Sequence, residues 1–88
     1  MPSATVLSHA AKISILQDRP IMLDYWTDST DGGAFVGVKT TNEKLLVKNE
    51  SEYTSPISKI FKVENEYIIS TENSLYIVSA DIQSKRIS

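Results

Sequence analysis

The chain has 88 residues, no cysteine, and nine basic against eleven acidic side chains for a formal net charge of −2. Disulfides and thiolate metal sites are therefore excluded. So short a chain has room for one thin core, burying only roughly 60 to 65% of its unfolded surface, and its charge balance opposes a protein devoted to gripping phosphates, which needs a surplus of Lys and Arg.

Taken in chain order, the first element is a helix expected within residues 1–19. Ser3 is placed to cap it, because its hydroxyl can accept from the unpaired amides of the first turn. Val6, Leu7, Ala10, Ile13, Leu16 and Gln17 recur at three- and four-residue spacing and form one apolar stripe, with Ser8, His9, Lys12 and Asp18 off it. Pro20 stops the helix by disfavouring a helical conformation at Arg19 and removing a donor. A strand is expected from Ile21 to Trp26, with Ile21, Leu23 and Tyr25 on one side and Met22, Asp24 and Trp26 on the other. The polar stretch from Thr27 to Gly33 reads as a loop whose glycines supply positive φ.

Ala34 to Lys39 is the expected return strand, interrupted by Gly37, which marks a bulge or bend. Thr41, Asn42 and Glu43 make a turn into a third strand, Lys44 to Lys48, with Leu45 and Val47 inward. Asn49 to Pro56 is polar and irregular, and Pro56 belongs at a strand start because it cannot donate to a ladder. The clearest pattern follows. Ile57, Phe61 and Val63 share an extended segment, Glu64, Asn65 and Glu66 turn, Tyr67, Ile69 and Thr71 resume the alternation, and Glu72, Asn73 and Ser74 turn again into Leu75, Tyr76, Ile77 and Val78. The expected meander spans residues 20–79, and residues 80–88, with Ile82 and Ile87, form a tail or an edge strand.

One helix followed by about five short antiparallel strands predicts a mainly β, α+β domain over residues 1–88. We expect a small, strongly bent sheet closing into a partial barrel, with the helix plugging an end or covering a face. The order resembles the plan of SH3-like and Sm-like barrels. The likeness is one of topology, since the glycine and asparagine of the Sm nucleotide-contacting loops have no counterparts here. An open sandwich with the helix across a flat sheet is the alternative. No run of about 18 apolar residues occurs and Met1 to Ala11 has no basic or unbroken apolar run, so a soluble, cytoplasmic, uncleaved chain without membrane contact is expected.

Reactive constellations are missing. His9 is the only histidine, and without a second imidazole or a thiol no tetrahedral zinc site can be assembled around it. Asp28, Asp31 and Gly32 lack the spacing and the closing glutamate of a calcium loop and read as a self-bonded polar turn. Asp24 is expected to face water. Gly32 and Gly33 are not followed by the lysine and hydroxyl of a phosphate-binding loop. Asn49, Glu50 and Ser51 match a glycosylation triplet, which an intracellular chain leaves unmodified. No nucleophile, base and orienting group can be named together. We therefore expect no catalysis, no metal and no cofactor.

Aromatic residues carry the functional expectation. An outward Trp26 beside Met22, with Tyr53 as a second exposed ring, has the composition of an interface anchor. The leading expectation is a non-enzymatic module that binds a protein partner or forms a homo-oligomer through a strand edge and this face, of the kind encoded as an accessory protein by a phage, a virus or an operon. The second is a nucleic-acid-binding barrel using Lys39, Lys44, Lys48 and Tyr53 for phosphate contact and stacking, which the net charge disfavours. A third is a small ligand held in the barrel mouth.

Overall fold

A computed structural model describes residues 2–87; Met1 and Ser88, which the expected helix and tail include, lie outside the described residues. The order is α1 (Ala4–Gln17), β1 (Ile21–Met22), α2 (Trp26–Asp31), β2 (Phe35–Val38), β3 (Lys44–Asn49), β4 (Glu52–Tyr53), β5 (Ile57–Val63), β6 (Glu66–Thr71), β7 (Leu75–Ser79) and β8 (Gln83–Arg86). The fold is mixed α+β. Its strands form two four-stranded sheets, ordered β1-β7-β6-β5 and β4-β3-β2-β8, and neither closes into a barrel. The expected single bent sheet is thus corrected to two open ones, and the SH3-like or Sm-like topology is not confirmed.

Two strand pairs also run parallel, β1 with β7 and β2 with β8, where an all-antiparallel arrangement was expected. Each parallel partner is delivered by a connection that leaves one sheet and returns. The double hairpin β5-β6-β7 forms as expected, with Glu64 at φ 54 in its first turn.

The layers stack as helix, central sheet, outer sheet. Period-two geometry sends Ile68, Leu75 and Ile77 to one side of the central sheet, where they meet Val6 and Ala10 of α1. The same geometry sends Ile69 and Val78 to the other side, where they meet Val36 and Leu46 of the outer sheet, with Tyr25 and Ala34. Both faces of β6 and β7 are covered, which is why their sequences run apolar without alternating.

Ser3 caps α1 as expected, accepting from the Val6 N–H at 3.1 Å and donating to Glu66 Oε1 at 2.8 Å. The helix ends at Asp18, left-handed at φ 53, whose N–H bonds to the Ser14 carbonyl. Beyond it the Arg19 guanidinium donates to Ser70 Oγ at 2.8 Å and to Gln17 Oε1 at 3.1 Å, tying the helix end to β6. The expected strand from Ile21 to Trp26 is overturned: pairing stops at Met22, a turn follows, and α2 occupies most of the expected loop. Gly32, at φ 81, caps α2, and of the two adjacent glycines it alone has positive φ. Ser29 Oγ accepts the Ser79 N–H at 2.9 Å and fastens α2 to β7.

Candidate functional site

The outer sheet has one face on the core and one face open, and the open face is apolar. In β2, Val36 points inward and Phe35 and Gly37 outward; in β3 the expected sides are reversed, with Leu46 inward and Leu45 and Val47 outward. The register then assembles the outward set, since Phe35 pairs with Val47, Gly37 with Leu45 and Val47 with Tyr53. On the other flank β8 places Lys85 beside Gly37, and the Lys85 ammonium sits 4.8 Å from the centre of the Phe35 ring. Phe35, Lys39, Leu45, Val47, Asn49, Glu50, Tyr53 and Ile87 line a groove of about 530 Å³ across this face. It continues into a hollow of about 330 Å³ that shares Lys39, Leu45 and Tyr53 and reaches Thr54, Ser55 and Pro56.

Gly37 lies beneath Ile87 on this face, and the expected bulge there is absent, since β2 and β3 keep register through it. A Cβ at this position would lie 2.8 Å from Ile87 Cδ1 and 3.1 Å from Val47 Cγ2. The glycine is therefore required by close approach: it lets the Ile87 side chain lie on the sheet. The irregularities fall elsewhere, between Val47 and Asn49 and between Ile57 and Lys59. Around Asn49 the chain turns on the side-chain oxygen, which accepts from the N–H groups of Ser51 and Glu52 at 2.9 and 3.0 Å.

The anchors named from sequence do not share one surface. Tyr53, 61% exposed, borders the groove. Met22, 37% exposed, lies at the far edge of the central sheet. Trp26 is half-buried against the helix-side core at the start of α2, while its neighbour Tyr25 is buried in the sheet-to-sheet core. Those two rings do part to opposite sides, from a turn and not from a strand. Tyr25 meets Tyr76 edge to face with centroids 5.4 Å apart, and the Lys48 ammonium lies 4.7 Å from its ring centre. Burial, with the nearby Tyr76, Asp24, Glu52 and Asp28, pushes the Tyr25 hydroxyl up to about 12, and burial also raises Tyr76.

The lysines separate as well. Lys39 lines the groove, paired loosely with Glu43 at 3.8 Å. Lys44 and Lys48 have the opposite parity in β3, and Lys48 pairs with Asp28 at 3.6 Å. They form no common basic stripe. His9 is on the exposed side of α1 with Nδ1 2.9 Å from the Thr5 carbonyl oxygen. Among the described residues no group of three or more His, Cys, Asp or Glu is gathered that could hold a metal ion. Asp24 is exposed. Among the described residues no helix is long and apolar enough to cross a membrane.

Phe35, Leu45, Val47 and Ile87 were missed as site residues. A signal was present: apolar residues at both parities in residues 35–38 and 45–47 require two covered faces, and one helix can cover only one sheet. No family's sequence profile, no curated protein and no solved structure matches this chain.

Proposed function

We propose that this protein is a non-enzymatic interaction module that seats an apolar segment of a protein partner on the open face of its outer sheet. The observation that carries this reading is the groove of Phe35, Leu45, Val47, Tyr53 and Ile87, apolar along its floor with Lys39, Asn49 and Glu50 at its margin. An apolar floor with a few polar groups at its margin is what a peptide-binding surface needs: burial supplies affinity, and the margin fixes direction. A cytoplasmic setting belongs to the same proposal, since a cysteine-free chain gains nothing from an oxidising compartment.

The face is a better docking surface than the edges. β1 and β4 have only two residues each, β8 carries Lys85 and Arg86, and β5 carries Lys59 and Lys62 with Pro56 before it and a bulge between Ile57 and Lys59. Shortness, lysines, proline and bulges are the devices by which natural sheets resist edge pairing. Docking therefore falls to the open face and not to a strand edge.

Selection of random displayed peptides on the wild-type protein tests the reading. Selected peptides should carry large apolar side chains, shift the amide resonances of Leu45, Val47 and Tyr53, and lose binding to Tyr53→Asp. Selected peptides that shift only β5, or none that bind, would count against it.

A further inference from the structure

The helix layer carries the counterpart of the groove. On α1 the side chains of Val6, Ala10 and Ile13 go to the core, whereas Ile15 and Leu16 are 81% and 85% exposed, the two most open large apolar side chains among the described residues. Leu16 was expected on the buried stripe, but the inward face runs from Val6 and Ala10 through Ile13 to Gln17, which bonds to Ser70 of β6, and Leu16 lies about a quarter turn off it. This outward ridge is nearly free of charge, with Lys12 before it and Asp18 after it. An exposed helix face normally carries many more charged groups.

Resting on the interaction-module reading, we propose that the occupant of the groove is a second copy of this chain, whose Ile15 and Leu16 ridge docks between Phe35, Tyr53 and Ile87. Three features favour a copy over an unrelated segment. Ridge and groove are the outermost surfaces of opposite layers, α1 and the outer sheet, so one molecule's ridge is free while its groove is filled. Charges complement as well. The ridge is bracketed by Lys12 and Asp18, while the groove carries Glu50 beyond one end of β3 and Lys39 opposite the turn at its other end. Laying α1 along the groove with Lys12 at Glu50 points its Asp18 end toward Lys39, whose bond to Glu43 is long and solvent-exposed; six helical residues span only about 9 Å, so Lys12 with Glu50 is the pair the docking makes. Finally, ridge and groove are different surfaces, so the contact is heterologous and repeats from copy to copy until a ring closes or a filament grows.

Mixed variants test this directly. Ile15→Asp with Leu16→Asp removes the ridge, and Tyr53→Asp with Ile87→Asp removes the groove; all four side chains are exposed, so each variant should fold, as circular dichroism and a urea midpoint will verify. In sedimentation velocity from micromolar to millimolar protein, the wild type should form a growing series of species. Each double variant alone should stay monomeric, and their equimolar mixture should form a heterodimer that grows no further. Lys12→Glu should weaken wild-type association by roughly threefold to fivefold, and adding Glu50→Lys should restore it. A monomeric wild type at every concentration, a groove variant that still dimerises by itself, or a mixture that stays monomeric would each overturn the proposal. A monomeric wild type that still binds a selected apolar peptide in the groove would remove only self-docking, whereas failure of both would also remove the interaction-module reading.

Discussion

The central and outer sheets are made of the same kinds of strand, yet they use their faces differently. The central sheet is covered by α1 on one side and by the outer sheet on the other, so Ile68, Ile69, Ile77 and Val78 have no contact with solvent. The outer sheet has only the inter-sheet core to cover it, and its other face is roofed partly by its own Tyr53 and Ile87. Leu45 and Val47 are buried there without a layer above them. Burial by a few side chains leaves a surface that a partner can complete, and burial by a whole layer does not.

A matched pair of leucines breaks the comparison most strongly. Leu75→Ala, between α1 and the central sheet, should cost about 3 to 5 kcal/mol because the site is closed and cannot collapse. Leu45→Ala should cost about 1 to 3 kcal/mol, since the vacated space opens onto the groove and fills with water. Urea unfolding midpoints measure both, and equal losses would mean that the outer face is core.

A second effect belongs to the seam between the sheets. The folded protein holds the Tyr25 proton more tightly than the unfolded chain does, so this contribution to stability is complete below about pH 10 and fades as pH rises toward about 12. The full shift is worth on the order of 2 kcal/mol. Tyr25→Phe should flatten the alkaline loss of stability, leaving the smaller slope from Tyr76. An unchanged slope in that variant would show that Tyr25 is not dry.

Gly37→Ala acts beneath Ile87, where the added carbon must displace the Ile87 side chain. Because that side chain is flexible and alanine stiffens the unfolded chain, stability should change by less than about 1 kcal/mol, while the Ile87 methyl resonances move strongly. Smallest is Ile15→Asp, which should leave the unfolding midpoint within about 0.5 kcal/mol of wild type, since the side chain packs on nothing in the monomer.

The double hairpin from Ile57 was legible because its turns and strands are local, and so was the capped helix at Ser3. The layering was not. Tyr67 to Ile69 and Leu75 to Val78 are apolar at consecutive positions, the mark of a strand covered on both faces, but the same run suits a single core if a barrel is assumed. The stretch from Ile21 to Trp26 misled because Tyr25 and Trp26 favour strands, yet they serve two different cores from one turn, and tertiary packing outweighed propensity. Of the site, Tyr53 was visible as an aromatic in a polar segment. Leu45 and Val47 looked like ordinary strand core and Phe35 like the other side of its strand from Ala34, Val36 and Val38, because nothing local in their sequence shows that their shared face lacks a covering layer.

Amide shifts of uniformly labelled wild-type protein, followed from dilute to millimolar solution, test the central claim most directly. The account predicts that movement concentrates in two patches together, Lys12 to Asp18 on the helix and Phe35, Leu45, Val47 and Tyr53 on the outer sheet. Movement along Ile57 to Val63, or no movement at any concentration, would contradict it.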